Sequence, residues 1–432
     1  MMLRIQERLS NTFYGLVSLP STAMGFALSI QISALSWLLT TQLHLDIHQV
    51  GIVWAAGPLA GIVGQVVIGF ISDKVWFWGG RRRPFIVVGG ILASLMLLAL
   101  PNIERIHAML GFGSLIVVAT AIALTLDLAI NISFNPTRSI IADVTPEGEP
   151  RTKGYTWMQT ISGFFGVFAY VIGAWAGNVV LIYSGVVLVF LFSVVPVLFI
   201  REPRKLLSAP AGGGTADLPV GTTQWGQLLR IYVAHGLSWV GVQTMFVYII
   251  AFVQQKIPFP GTVTDTAQHT GQVISISFAI LNTVGFLLPA PILEPLAVRF
   301  GRVRVHMAAV AIMAVGYLGV VLAGGSPMAL YVLMAVLGIG WASIVSLPFA
   351  IMTEKVDKTR MGFFMGIFNL SVVIPQLFVS LILGSIIHSA ADKSIIFVIS
   401  TVTLAASAAL WLIVRESPRS IGRASSPQGG AH

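Results

Sequence analysis

Residues 54–86 read WAAGPLAGIVGQVVIGFISDKVWFWGGRRRPFI. Residues 54–71 carry no charge, which is the length a helix needs to cross the roughly 30 Å hydrocarbon core of a bilayer. Asp73 closes that run, and Arg81, Arg82 and Arg83 follow within ten residues. An apolar span ending in an acid and then a block of arginines reads as a membrane helix leaving the bilayer on the side where positive charge is retained.

The same grammar runs through the rest of the chain. Twelve apolar stretches are long enough to span, at 15–40, 48–71, 84–101, 111–135, 155–177, 179–200, 228–253, 271–293, 305–324, 327–352, 362–387 and 394–414. They are continuous rather than alternating, which argues for helices and against a β-barrel. Of the 432 residues 56% are hydrophobic and only 9% charged, against about 25% charged in a soluble domain. A water-soluble protein of this length could not cover its surface with so few charges, so the lipid bilayer is the expected surrounding. There is no cysteine, which excludes disulfides, thiolate metal sites and cysteine nucleophiles.

Charge distribution sets the orientation. With both ends on one side, 21 of the 25 Lys and Arg residues fall on that side, and only Arg105, Lys256 and Lys393 fall opposite, with Arg138 near a helix. The positive-inside rule makes the favoured side cytoplasmic, in the cell membrane. The net charge of +9 is thus spread over short loops rather than one face, and nucleic acid is not an expected partner. The polar start, Met1 to Tyr14, has no small-residue cleavage site and reads as no removable signal peptide.

Residues 201–227, REPRKLLSAPAGGGTADLPVGTTQWGQ, have a linker composition and divide the spans six and six. The expected organisation is a six-helix bundle at 1–200, a cytoplasmic linker at 201–227, a second six-helix bundle at 228–414 and a disordered tail at 415–432. The halves echo each other. Asp73 is followed by Gly80-Arg81, and Glu294 by Gly301-Arg302 at the same offsets; Asp143 precedes Arg151 and Gly154, and Glu354 precedes Arg360 and Gly362. A repeated half of this kind is how many secondary transporters are built. The acid and arginine clusters, Asp73 with Arg81, Arg82 and Arg83 and Glu294 with Arg302, are candidates for a latch that gates the cytoplasmic ends of the two bundles.

The fourth span carries the sharpest chemistry. Asp127 is the only one of the sixteen acids placed deep in an apolar run, and an ionisable group there marks a functional site by default. Asn131, Asn135 and Arg138 follow at +4, +8 and +11, on one helix face. Asp127 and Arg138 are expected about 16 Å apart along the axis, too far for a direct pair, with Pro136 between them able to turn the helix end away. A carboxyl in such a place can hold a proton when dry and release it when wet, which suits proton coupling. Sodium sites gather several oxygens, and the second span offers no acid. Gln31, Gln159, Asn369 and Gln376 are candidate substrate contacts, with Gln65, His235, Gln243 and Asn282 as further polar groups inside spans. Amides donate and accept, which matches a polyhydroxyl ligand. Trp37, Trp54, Trp157, Trp239 and Trp341 could stack on its ring, although most such residues anchor or pack helices.

No enzyme is indicated. A phosphate-binding Gly-Lys-Ser/Thr loop is absent, and His107, His235, His269, His306 and His388 show no metal spacing. No cofactor or metal is expected.

Three stretches carry a family resemblance: WAAGPLAGIVGQVVIGFISD with GRRRPFI at 80–86, LDLAIN…PTRSIIADV at 126–144, and GIFNLSVVIPQLFVSLILG at 366–384. They resemble the sucrose–proton symporters of plants and their relatives, in the glycoside-pentoside-hexuronide group of the major facilitator superfamily. The resemblance implies an all-α membrane protein of twelve transmembrane helices in two pseudo-symmetric six-helix bundles. It also implies proton-coupled sugar symport by alternating access, with a monomer as the functional unit. In that family the acid at the position of Asp127 is the proton site, and an arginine at the position of Arg138 contacts substrate. Plant members carry an acidic and basic cluster near the outer end of the seventh helix, where this chain reads AFVQQK at 251–256. That difference leaves another disaccharide, a glucoside or a monosaccharide open. A proton-coupled drug or metabolite exporter, or a membrane assembly or sensor protein that no longer transports, would use the same fold.

Overall fold

The computed structural model describes residues 4–61, 71, 75–111, 113–146, 149–203, 223–260, 265–356 and 361–415. Asp73, most of the linker and of the tail, and most of the second half of the second span therefore lie outside the described residues. Within them the secondary structure is helical apart from one isolated bridge, Phe77 to Gly80.

In chain order the spans are α1 (Asn11–Gln42), α2 (beginning as Ile47–Trp54), α3 (Arg83–Leu110), α4 (Leu115–Val144), α5 (Glu149–Ala176), α6 (Asn178–Phe199), α7 (Trp225–Lys256), α8 (Thr266–Leu287), α9 (Arg302–Ala323), α10 (Pro327–Met352), α11 (Ile367–Ser389) and α12 (Ile395–Trp411). Among the described residues ten of these are long and apolar enough to cross a membrane by themselves. The second is described only as far as Gly61 and at Ile71, and the twelfth has 17 residues. The chain is an all-helical, twelve-span membrane protein. Several boundaries differ from the sequence expectation. The third helix reaches Leu110 rather than 101, the fourth extends to Val144 rather than ending near 135, and the seventh begins at Trp225, inside the segment read as linker.

Local chemistry starts the helices where the chain enters the bilayer. Ser10 caps α1 by accepting from the Phe13 N–H, and Asp46 with Gln49 forms a capping box on α2. Asp265 and Ser326 cap α8 and α10 in the same way. These side chains occupy backbone donors that have no partner in the first turn.

In lipid the association of helices relies on close approach and polar contacts rather than on hydrophobic burial. A Cβ on Gly90 of α3 would lie 2.1 Å from the Ser193 Cβ of α6, and one on Gly241 of α7 would lie 2.1 Å from a methyl of Leu404 on α12. Helices α1, α3, α4, α5 and α6 pack on one another, and α7 to α12 form a second group. The two groups meet along α5 against α8 and α2 against α11.

The arginine-rich ends of the helices are tied by buried charge. The Glu202 carboxylate, just beyond α6, accepts the backbone N–H groups of Arg81, Arg82 and Arg83 at 2.7–3.0 Å. It therefore sits on the positive end of α3, where an anion is favoured. Arg81 and Arg82 also pair with Asp143 at the end of α4, at 2.9 and 3.2 Å. The second half repeats the arrangement: Arg302, at the start of α9, pairs with Glu354, just past α10. Two separate sequence echoes, Gly-Arg after an acid and a later acid, thus converge on one repeated ion pair. Glu294 makes no ion pair among the described residues. In this conformation Arg81 and Arg302 each tie helices of their own half.

Candidate functional site

Helix α4 continues through Pro136 without a break. That keeps Asp127, Asn131 and Arg138 on one wall, and all three line a cavity of about 680 Å³ between the two halves. Gln31 of α1 and Gly57 of α2 complete that wall.

Asp127 is only 5% exposed, and its Oδ2 accepts from Gln31 Nε2 at 2.9 Å. Gln31 opens a π-helical turn, Gln31–Leu35, in the middle of α1. Such widened turns interrupt regular packing and recur at functional sites. A Cβ on Gly57 would lie 3.3 Å from an Asp127 carboxylate oxygen, so the glycine leaves the carboxyl room on the α2 side. Asn131 donates to the Asp127 carbonyl at 2.8 Å. Arg138 makes no ion pair with Asp127 among the described residues, in line with their spacing along the axis. Its guanidinium lies over the Phe134 ring, 4.1 Å from the centroid, a cation–π contact that holds it at the cavity mouth.

The facing wall belongs to the second half and is aromatic. Trp239, Phe246, Trp341 and Phe368 line it, with His235. Trp341 meets Trp239 and Phe246 edge-on, with centroids 5.8 and 5.3 Å apart. Its indole N–H donates to Asn282 Oδ1 at 3.2 Å. Gln243, Asn369 and Gln376 add amides, Gln376 donating to Gln243 at 3.4 Å.

The remaining sequence candidates separate. Gln159 lines a side compartment of about 280 Å³ with Ser162 and Asn282, and Arg138, Phe134 and Trp341 border both spaces. Asn135 lies outside the lining of either. Trp54 borders the main cavity, whereas Trp37 donates to the Ala267 carbonyl at 2.6 Å, away from it. His235 and Gln243 were visible in the sequence as polar groups within an apolar span. Only the packing of α7 against α11 shows that they face the same space as Asp127. No group of three His, Cys, Asp or Glu side chains that could hold a metal occurs among the described residues.

The cavity opens toward the arginine-rich face. Val345 and Phe349, on the last turns of α10, line it yet are 49% and 43% exposed. On the opposite face the halves are sealed. Ser33 meets Ser275 at 2.8 Å, and Ser36 donates to the Val247 carbonyl at 2.9 Å. His48 of α2 meets Ser385 of α11 at 3.0 Å, and a Cβ on Gly51 of α2 would lie 2.5 Å from Tyr248 Oη of α7. The central cavity is thus closed on one face and reachable from the other.

Comparison with known proteins agrees with this geometry. The sucrose transport protein SUC4 of Arabidopsis thaliana is 24% identical over 427 residues, covering 84% of this chain and 82% of that protein. The general alpha-glucoside permease of Schizosaccharomyces pombe is 29% identical over 174 residues, 36% of this chain and 31% of that protein. Among solved structures, the nucleoside transporter NupG superposes with a TM-score of 0.71 at 12% identity, covering 93% of this chain and 98% of that one. The model of the MFS/sugar transport protein family matches residues 13–370. With that match over most of its length, two packed groups of helices and a central cavity between them, the chain belongs to the MFS/sugar transport protein family.

Proposed function

We propose that this protein carries a sugar, a disaccharide or glucoside, together with a proton across the cell membrane by alternating access. The observation that supports this most is the pairing of Asp127 with Gln31 on the wall of a cavity that also holds Arg138 and, opposite, a set of aromatic rings. A sugar needs that combination. Its hydroxyls take up donors and acceptors such as Arg138, Asn131, Asn369 and Gln376, and its apolar ring faces stack on indole or phenyl planes. The volume lies within the roughly 300–1,000 Å³ of small-molecule sites. The names of the relatives, a sucrose transport protein and an alpha-glucoside permease, support the same substrate class.

Asp127 is the proton carrier in this reading. With both termini cytoplasmic, as the basic loops require, the described state faces inward. Asp73, Arg81, Arg82, Arg83, Glu294 and Arg302 then act in gating: the repeated pairs brace each half while the inner ends separate. Proteoliposomes with an imposed pH gradient test the whole reading. Labelled sucrose or maltose should accumulate when the outside is acidic, and a protonophore should abolish it. No accumulation of either sugar, or accumulation indifferent to the protonophore, overturns it.

Arg138 supplies a second check. Its five N–H donors form a planar fork that lysine lacks. Arg138→Lys keeps the charge, and sugar affinity should fall about tenfold or more with expression unchanged. Unaltered affinity by calorimetry would assign Arg138 a packing role on Phe134.

A further inference from the structure

The side compartment beside Gln159 is kept open by a glycine that helix packing does not need. Gly25 of α1 lines it, and a Cβ at that position would meet nothing within 4 Å. Two other glycines on the same lining differ. A Cβ on Gly163 of α5 would stand 2.3 Å from the Phe286 ring, and one on Gly285 of α8 would stand 2.7 Å from Trp341. Those two admit a neighbouring helix, the usual work of small residues between membrane helices. Gly25 admits none, and what it leaves is space. Polar groups without partners border that space. Gln159 is exposed, Ser21 is 8% exposed, and neither side chain makes a hydrogen bond among the described residues. Ser162, on the same lining, does find a partner, Thr22 at 3.1 Å. The compartment adjoins the main cavity at Phe134, Arg138 and Trp341, which border both. The Arg138 guanidinium lies over Phe134, and Trp341 is held by its hydrogen bond to Asn282.

We infer that the side compartment is a second sugar subsite, which takes the second ring of a disaccharide whose first ring lies in the main cavity. The inference rests on the sugar reading above and deepens it. At about 280 Å³ the compartment falls just short of the roughly 300–1,000 Å³ of a whole small-molecule site, which suits one ring and not two. Arg138 stands at the junction, where its five N–H donors can serve oxygens of both rings. Gln159 brings two donors and an acceptor, and Ser21 a hydroxyl, to a ring with hydroxyls around its edge. The methyl group of a methyl glucoside has no use for any of them. Preference for a two-ring substrate is then set on α1 and α5, apart from the Asp127 carboxyl that carries the proton.

Filling the space tests this. Gly25→Leu puts a side chain where a Cβ meets no neighbour, and Gln159→Leu removes the amide. Binding of sucrose, maltose and methyl α-glucoside to purified protein is measured by calorimetry, with size-exclusion profiles checking the fold. Affinity for whichever disaccharide the wild type binds should fall about tenfold or more in Gly25→Leu and roughly fivefold in Gln159→Leu. Affinity for methyl α-glucoside should stay at the wild-type value in both. An equal loss for all three sugars, or no loss for any, overturns the inference and leaves the sugar reading intact. So does a wild type that binds methyl α-glucoside and neither disaccharide. A wild type that binds none of the three removes the sugar reading and the inference with it. Should Gly25→Leu misfold, or methyl α-glucoside bind too weakly to compare, a thiol decides. The chain has no cysteine, so Gln159→Cys places a single one on the compartment wall. The bound disaccharide, at ten times the Kd of that variant, leaves about a tenth of the protein free, and reaction with a small methanethiosulfonate should slow about tenfold. An unprotected thiol rejects the subsite.

Discussion

Asp127→Asn should reduce uphill accumulation to none while leaving a folded protein that still exchanges sugar down its gradient. Asparagine copies the shape of a protonated carboxyl and can still accept from Gln31 Nε2, the partner that holds Asp127 Oδ2 at 2.9 Å. What it cannot do is gain and lose a proton. For one proton per neutral sugar, a pH difference of one unit contributes about 1.4 kcal/mol and 100 mV of membrane potential about 2.3 kcal/mol. Together these support accumulation on the order of several hundredfold, and the substitution should bring that ratio to one. Counterflow of labelled sugar in proteoliposomes, which needs no gradient, should persist. Among the described residues Asp127 is the only acid on the lining of the central cavity, so no neighbouring carboxyl among them can take over its proton. Wild-type accumulation in Asp127→Asn, still dependent on the gradient, would take this residue out of the coupling.

The helical plan is legible in the sequence because the bilayer imposes it. A span must be about twenty apolar residues long and its ends must sort by charge, so run lengths and arginines are enough. Asp127 is legible for the same reason: a carboxyl is conspicuous where no charge is tolerated without a role. Gln31 is not. Amides are scattered through many spans, and nothing in the sequence says that the one on α1 meets α4, because that contact depends on the packing angle and on the π-turn at Gln31–Leu35. The same holds for Gln159. Its residue type suits a ligand contact, yet the turn it occupies on α5 points to the side compartment. The repeated acids and arginines were visible as pairs of echoes. That Arg81 would meet Asp143, and Arg302 Glu354, needed the ends of α3 with α4, and of α9 with α10, to be placed together.

Gly51→Leu should stop transport almost completely by preventing the outer face from closing. On α2, a Cβ at this position would lie 2.4 Å from the Ser380 carbonyl oxygen and 2.5 Å from Tyr248 Oη. Neither neighbour can retreat easily. The carbonyl is backbone, within the π-turn Val379–Leu383 of α11. The tyrosine is fully buried, and its hydroxyl donates to the carbonyls of Val379 and Ser380 at 3.1 and 3.4 Å. A second glycine on the same seam, Gly384, also has little room: its Cβ would stand 2.8 Å from Tyr248 Oη and 3.5 Å from the His48 Cα. The two halves meet here almost backbone to backbone, and a leucine must hold them apart. Overpacking of this kind costs about 1–3 kcal/mol, occasionally more, in a core that can relax. A seam formed by backbone relaxes less, and about 5.5 kcal/mol is enough to carry a two-state equilibrium from 1:99 to 99:1. Because the chain has no cysteine, Ser33→Cys places a single thiol under the closed seam, where Ser33 is 1% exposed and meets Ser275. An impermeant maleimide added outside should label that thiol slowly in the otherwise native protein and at least tenfold faster with Gly51→Leu. Transport should fall by two orders of magnitude or more, while sugar still binds from outside. Gly226→Ala, where a Cβ meets nothing within 4 Å, should change neither readout. Native transport in Gly51→Leu, with the Ser33→Cys thiol still protected, would show that this seam is not the barrier whose opening admits substrate.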